Sequence, residues 1–421
     1  MVVELINTGS ELLLGRVLNT HQQWICRRLA DLGWVVTRQV AVPDTATDIQ
    51  KAVRESLLRA DIILVTGGLG PTSDDLTREL IAGLIGKKLH EDPTIVADLK
   101  QFFAERGRPM PERNRVQAQV PEGAAVLANP NGTAPGLAIK VEPNPFRTDG
   151  TPSWLILLPG PSRELRPMFN NLVVPLLQRE QPPQAFVCQT LRTSGVGESA
   201  LAQLIDSPLQ PLIASGLELG YCARPGQVDV RLAARTDDSA SLVQKAHFIV
   251  EGLLANHIFG QGDETIEFVV VRELTTANQT LAIAESCTGG AISHRITNVP
   301  GASAVLRAGL VTYANEAKQK FAGVRPETLA AQGAVSEAVA REMAEGARRE
   351  TGADYGIAVT GIAGPTGGTP EKPVGTVYMA VSSGGGTVAV RRNNLFDRET
   401  FKEVTGTQVL ELLRRQILGI K

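Results

Sequence analysis

Ile62-Ile-Leu-Val-Thr-Gly-Gly-Leu-Gly-Pro-Thr-Ser-Asp-Asp75 is an apolar, β-branched run that breaks into a glycine-rich loop, and an apolar stripe at Leu76, Leu80 and Leu84 follows it. Leucines four apart mark one helix face, so the stretch reads strand, loop, helix. The same alternation extends on both sides. Residues 2–6, 35–42 and 154–158 are strand-like, and Ile49, Val53 and Leu57 form a second helical stripe. Asp92-Pro93 is an N-cap followed by proline at the first helical position, opening a helix through Ile95, Leu99, Phe102 and Phe103. Strands alternating with helices predict a mostly parallel sheet covered on both faces, a three-layer α/β/α domain.

Two proline-rich breaks follow. Residues 142–152 read as a long surface hairpin, and Gln181-Pro-Pro-Gln184 reads as a linker that closes a first domain at 1–183. Residues 184–264 then read as a small α+β module, with strands near 186–192, 217–223 and 228–234 and helices at 198–205 and 239–254. From residue 265 to 421 the α/β alternation returns, with strands at 280–284, 305–312, 355–360, 374–382 and 387–395. The fold class is therefore α/β, two three-layer α/β/α domains joined by a small α+β module.

Composition narrows the function. The chain has 421 residues and a formal net charge of −2, which gives no electrostatic pull toward nucleic acid or anionic membrane. Its four cysteines and five histidines are scattered without CxxC or HExxH spacing, against a structural zinc site. The first residues already have a strand pattern, and no apolar run approaches the ~20 residues that span a bilayer. The expected location is the cytoplasm. Gly 41 and Pro 25 exceed average usage, and the surplus falls in loops at strand ends.

Such loops are where open α/β sheets bind ligands. Gly67, Gly68 and Gly70 let backbone N–H groups approach an anion, while Asp74 and Asp75 either cap the next helix or share a divalent cation with a phosphate. Glu11, in Thr8-Gly-Ser-Glu11, and Asp44 after the second strand add carboxylates at neighbouring strand ends. Asn129-Pro-Asn-Gly-Thr-Ala-Pro-Gly136, with Asn131, and Leu158-Pro-Gly-Pro-Ser-Arg-Glu164, ending on Glu164, are further loops that serve as turns or as ligand contacts.

The last third carries Ala284-Glu-Ser-Cys-Thr-Gly-Gly290 between a strand and a helix. Ser286 lies on the turn as a candidate nucleophile, with the N–H groups of Thr288, Gly289 and Gly290 available to an oxyanion. His294 is expected at the surface. Lys318, in Thr312-Tyr-Ala-Asn-Glu-Ala-Lys318, can act as the base if desolvation lowers its pKa. Cys287 is either a rival nucleophile or buried packing. Thr360-Gly-Ile-Ala-Gly-Pro-Thr-Gly-Gly368, with Gly361 and Gly364, is rich enough in glycine to cradle a phosphate.

These strings, in this order, resemble the CinA family of competence/damage-inducible proteins from end to end. Those at 8–15, 66–75, 129–136 and 158–164 resemble its molybdopterin-binding (MogA/MoaB-like) domain, for which the resemblance implies metal-dependent ADP-ribose pyrophosphatase activity with Mg²⁺ or Co²⁺. Gly195-Val-Gly-Glu198 and the string from Tyr221 to Arg231 resemble its KH-type connecting module. Those at 284–290, 313–318 and 359–368, with Asp397-Arg398, resemble its nicotinamide-mononucleotide deamidase domain, which needs no cofactor. Carried over, Ser286 is the nucleophile and Lys318 its base, Tyr313, Thr360 and Arg398 shape the site, Glu11 and Asp74 act on the diphosphate, and Asp44, Asp74 and Asp75 hold the metal. The helix start Glu-Thr-Phe-Lys-Glu-Val after Arg398 is less basic than the resemblance suggests, so weak phosphate affinity is expected there. The implied partners are nicotinamide mononucleotide, ADP-ribose and a second copy of the chain as a homodimer. The competing expectation is a non-catalytic pterin- or nucleotide-binding regulator. A nucleic-acid-binding role is disfavoured by the absence of a GxxG loop between residues 185 and 260.

Overall fold

In a computed structural model, residues 1–180 and 186–420 are described, and the chain divides into two units, Met1–Phe186 and Val187–Lys421. The linker 181–184, with the 183/184 domain boundary, lies outside the described residues.

The first unit is organised by the alternation of side chains along its strands. In β1 (Val3–Thr8), Val3 and Leu5 join a core with Ile25, Leu29 and Phe169, while Ile6 joins the opposite core with Ile49, Val53 and Leu57. The strands β3 (Ile62–Thr66) and β8 (Ser153–Leu158) alternate in the same way, which produces helices on both faces. With β2 (Val36–Val42), β6 (Ala125–Leu127) and β7 (Gly136–Val141) the sheet order is β2-β1-β3-β8-β7-β6. The first four strands are parallel, and β7 and β6 add antiparallel at one edge. The short strands β4 (Leu89–Glu91) and β5 (Gln119–Pro121) pair separately.

Two expectations shift. The helix Thr77–Leu84 buries Thr77, Arg78, Ile81 and Ala82, so the inward face lies one residue beyond the Leu76/Leu80/Leu84 stripe, whose last two members pack only at its margin. The loop 129–136 joins the antiparallel strands β6 and β7 and so has no helix start behind it. The hairpin after β7 is also anchored inward: Asn144 is buried and donates to the Leu57 carbonyl and to Ser153 Oγ.

The second unit begins with four antiparallel strands, β9 (Val187–Ser194), β10 (Leu217–Arg224), β11 (Gln227–Ala234) and β12 (Ile258–Gln261), in the order β10-β11-β9-β12. The helices Glu198–Ala214 and Ser239–Leu254 cover one face over Leu191, Val230 and Leu232. The first of these runs on to Ala214 through Pro208 and Pro211, and the strand β12 was hidden in a segment that reads as charged loop. Arg192 and Asp229, on adjacent strands, form a 2.6 Å ion pair with both side chains about 95 % buried (4 % and 5 % exposed).

The remainder is a five-stranded sheet of β13 (Leu281–Glu285), β14 (Leu306–Val311), β15 (Tyr355–Gly361), β16 (Thr376–Ser383) and β17 (Gly386–Asn393), in the order β14-β13-β15-β16-β17. The strands β14, β13 and β15 are parallel, and β16 and β17 follow antiparallel. Leu281 and Ile283 face a large apolar core with Phe401 and Leu410, while Ala282 and Ala284 face an alanine-rich one under the helix Glu337–Thr351. This block and the antiparallel module touch: Arg415 Nη2 donates to the Asn256 carbonyl, and Phe259 joins the apolar core of Ile266 and Val269. No described helix is long and apolar enough to cross a membrane.

Removing one member of a buried ion pair strands the other, at a cost of about 3–5 kcal/mol. Asp229→Ala should therefore shift the urea midpoint of the second unit strongly downward. Removal of the exposed pair by Arg235→Ala should cost under about 1 kcal/mol. Equal midpoints for the two variants in circular-dichroism melts would contradict the assignment.

Candidate active sites

Strand β13 lies between two parallel neighbours, and the chain leaves its carboxyl end through Ser286 into a tight turn before the helix Ala291–Thr297. Ser286 N–H donates to the Val359 carbonyl at the end of β15, which fixes the serine at the strand end. The helix Asn315–Ala322, after β14, brings Lys318 to the same point. Lys318 is 2 % exposed, with Nζ 3.1 Å from Ser286 Oγ, 2.9 Å from the Thr312 carbonyl and 3.1 Å from the Tyr313 carbonyl. Burial pushes its pKa below the usual lysine range, against a smaller opposing effect from Cys287. As an ammonium, Nζ donates to all three oxygens; as a neutral amine it keeps two N–H donors for the carbonyls and can turn its lone pair to the serine hydroxyl.

The turn donates differently from the expectation. Gly289 N–H is taken by the Ser286 carbonyl and Gly290 N–H by Glu285 Oε2, so neither is available to an oxyanion. Among the described residues, the N–H groups of Cys287 and Thr288 are the ones of the turn without an acceptor. Thr288 Oγ1 is likewise buried without a partner. The Cys287 thiol faces the apolar core, and burial pushes its pKa up to about 12, which leaves it a poor nucleophile.

Around this pair the structure separates the other candidates. The Tyr313 side chain is 59 % exposed, and its hydroxyl accepts from Arg398 Nη2 at 2.8 Å; only its carbonyl meets Lys318. Thr360 is buried and donates to the Ala334 carbonyl at 2.7 Å. The loop that begins at Gly361 joins two antiparallel strands, and Gly364 contributes a carbonyl that accepts from Arg398 Nη1. Arg398 opens the helix Arg398–Leu418, and Lys402 lies one turn further along it. Lys402 Nζ is 3.9 Å from where a Cβ on Gly289 would stand, beside the turn that holds Ser286. Among the described residues neither cation has a carboxylate partner, so the helix start is more cationic toward the site than its sequence suggested. The sequence reading missed Lys402 and Glu285; the i, i+4 spacing of Arg398 and Lys402 was the available signal for the former. His294 is exposed, as expected.

The first unit has its own cleft of about 680 Å³, where β1 and β3 end, and Glu11, Asp44, Gly67, Gly68, Gly70, Asp74, Asp75 and Glu164 line it. Gly68 lies at φ +67, and a Cβ there would sit 2.0 Å from Thr77 Oγ1, so only glycine lets the loop fold onto the next helix. Asp44 Oδ2 accepts from Ser10 N–H at 2.8 Å, and Asp75 Oδ2 accepts from Thr72 N–H at 3.0 Å, which leaves each one oxygen for a ligand. A hydrogen bond from Thr72 holds the Asp74 carboxyl below the usual range. Glu164 accepts from Asn129 Nδ2 and lies where a Cβ on Gly132 would be, which ties two of the loops together; Asn131 is exposed beside them and does not line the cleft. Asn7 and His21, not anticipated, do line it. Among the described residues no three His, Cys, Asp or Glu side chains converge on a metal position. The donor set is hard oxygen, and it suits an ion that arrives with a diphosphate better than a resident one.

Comparison with known proteins accounts for the whole chain. Residues 4–179 match the family described as "Probable molybdopterin binding domain", residues 188–260 the "Damage-inducible protein CinA KH domain" and residues 263–417 the "CinA C-terminal domain". A CinA-like protein of Akkermansia muciniphila is 45 % identical over 97 % of this chain and 95 % of its own length. A protein of Symbiobacterium thermophilum named "Putative competence-damage inducible protein" is 44 % identical over 100 % of this chain and 99 % of its own. Among solved structures, the competence/damage inducible protein CihA from Agrobacterium tumefaciens is 40 % identical, covers 35 % of this chain and 91 % of that one, and has a TM-score of 0.35. With relatives this similar along its full length, the chain belongs to the CinA family of competence/damage-inducible proteins.

Proposed function

We propose that the chain is a bifunctional pyridine-nucleotide hydrolase, with a deamidase of nicotinamide mononucleotide at the Ser286 site and a metal-dependent ADP-ribose pyrophosphatase in the first unit. The observation that carries the first activity is the buried Lys318 Nζ at 3.1 Å from Ser286 Oγ, for which a pure binding protein has no use.

Neutral Lys318 takes the Ser286 proton as Oγ attacks the carboxamide carbon. The carbonyl oxygen becomes an oxyanion facing the N–H groups of Cys287 and Thr288. Collapse breaks the C–N bond, and the Lys318 ammonium returns its proton to the leaving amine, releasing ammonia and leaving a Ser286 ester. Water, deprotonated by the same lysine, then hydrolyses the ester to nicotinate mononucleotide and restores Ser286. Arg398, held by Gly364 and Tyr313, and Lys402 supply the charge for the substrate phosphate.

In the first unit Gly67 N–H is held by the Leu158 carbonyl, and among the described residues the N–H groups of Gly68 and Gly70 are left for a diphosphate. Asp44, Asp74 and Asp75, which do not converge by themselves, would share a cation carried in by the diphosphate, and Glu11 would orient the attacking water. A bound Mg²⁺ or Co²⁺ supplies charge neutralisation and polarisation of the diphosphate.

Ser286→Ala should abolish ammonia release, while Cys287→Ala retains at least about a tenth of it. The log of kcat/KM should rise with pH, because the acting form of Lys318 is the neutral one, and level off below the ordinary lysine pKa of about 10.4. A flat profile, or full activity in Ser286→Ala, would remove the Ser–Lys reading.

Lys402→Met should lower kcat/KM for nicotinamide mononucleotide about 10- to 100-fold, the loss of one charged hydrogen bond. Nicotinamide riboside, which lacks the phosphate, should be unaffected, and a parallel fall for both would place Lys402 elsewhere.

With Mg²⁺ or Co²⁺ the full chain should convert ADP-ribose to AMP and ribose 5-phosphate, and Glu11→Gln should slow this about 10-fold or more. No AMP with either metal would reduce the first unit to a nucleotide or pterin binder.

A further inference from the structure

We infer that Glu285, the residue before the nucleophile, is a positioning residue that sets the two oxyanion donors by clamping the turn from behind. The inference deepens the deamidase reading and rests on it. Glu285 ends β13, is 0 % exposed, and turns its side chain toward the helix that follows the turn. Its Oε2 accepts from Gly290 N–H at 2.9 Å and Ile292 N–H at 3.1 Å; its Oε1 accepts from Ser293 N–H at 2.8 Å and Ser293 Oγ–H at 2.7 Å.

These bonds do more than finish a helix. The helix Ala291–Thr297 has Gly290 at its N-cap and so no capping side chain of its own, and its Ile292 and Ser293 N–H groups would otherwise lack acceptors. Glu285 supplies the acceptors from the other end of the turn. Residues 286–290 are thereby held at both ends, by the chain itself at Glu285 and by the Glu285 carboxylate at Gly290. Within that loop Gly289 N–H closes on the Ser286 carbonyl and Ala291 N–H on the Thr288 carbonyl. With these acceptors assigned, the Cys287 and Thr288 N–H groups are, among the described residues, the ones of the turn left without an acceptor. If the clamp opens, the Gly290, Ile292 and Ser293 N–H groups seek other acceptors, and the donor pair loses its fixed direction.

The clamp requires an acceptor on both sides. A glutamine has the volume of glutamate, yet in either orientation its amide NH₂ meets at least one backbone N–H donor, from Ser293 or from Gly290 and Ile292. Glu285→Gln therefore tests geometry at constant size. Ser293→Ala removes one of the four bonds and leaves the carboxylate intact, which preserves the test if the first variant does not fold.

In the full chain, Glu285→Gln should lower kcat for nicotinamide mononucleotide about 100- to 1,000-fold, the cost of a misdirected oxyanion donor, with KM within about 3-fold. Ser293→Ala should fall about 3- to 10-fold in the same sense, as for one weakened hydrogen bond. The discriminating readout is pyridine-3-boronic acid. Ser286 Oγ bonds to its boron and passes its proton to Lys318, giving a tetrahedral boronate whose oxygen occupies the oxyanion position. Boronate affinity should fall in parallel with kcat. Binding of nicotinamide mononucleotide to the Ser286→Ala protein should be the same, within about 3-fold, with or without Glu285→Gln. The inference is overturned if kcat stays within 3-fold of wild type, if boronate affinity holds while kcat falls, or if boronate and ground-state binding fall together. Absence of ammonia release from the wild-type chain would instead overturn the deamidase reading, and the boronate arm would still report whether Glu285 holds the turn.

Discussion

Parallel strands that leave a central strand on opposite sides must send their connections to opposite faces of the sheet, and the space between their carboxyl ends is closed only by loops. This chain meets that constraint twice. In the first unit β1 lies between β2 and β3, and in the second β13 lies between β14 and β15. Each central strand ends at a crevice that its own backbone cannot fill, and each crevice holds the side chains on which chemistry depends. The two differ in what fills the gap. The first receives carboxylates and glycine N–H groups, suited to a cation and a diphosphate. The second receives a hydroxyl and an amine, suited to acyl transfer.

At the second crevice one segment links the two ends of the site. Residues 312–318 leave β14 and turn into the next helix, so Thr312 and Tyr313 offer carbonyls to Lys318 while the Tyr313 hydroxyl extends outward to Arg398. Arg398 in turn binds Gly364 on the loop from β15. A displacement of Tyr313 is therefore felt both by Lys318 and by Arg398. Its exposed ring is consistent with this bridging place: the backbone does the work at the buried end and the hydroxyl at the open end.

The parallel cores were legible because burial on two faces leaves continuous apolar runs, as at Ile62 to Val65, and because Ile49, Val53 and Leu57 repeat with the helical period. Edge strands left weaker marks. Strand β6 is three residues long and half exposed, and β12 reads Ile-Phe-Gly-Gln within a polar segment, so neither has a period to detect. In the second site, Ser286 could be located because residue type and strand-end position coincide, and Lys318 because it lies in the first turn of the helix that follows the neighbouring strand. The unbonded N–H groups of the turn could not, since glycines signal that a turn is tight and not which of its N–H groups the turn itself consumes. Glu285 was obscured for a related reason: a glutamate at a strand end looks like solvent-facing charge until the helix beyond it is seen to lack a cap.

Net charge hides the same kind of detail. A total of −2 excludes a broad basic surface, yet it says nothing of where charges are left uncompensated. Most of the buried charge in the second unit is answered within hydrogen-bond distance: Arg192 by Asp229, Arg414 by Glu411, Glu285 by four donors. Nearer the surface, Arg398 is exposed and Lys402 half-buried, two cations one helical turn apart beside the Ser286 turn, with carbonyl and hydroxyl acceptors for one of them and no carboxylate for either among the described residues. A carboxylate at such a position would stabilise the fold by under about 1 kcal/mol, so folding does not demand one. The attraction not taken up by the protein's own carboxylates remains available to an anion at that helix start.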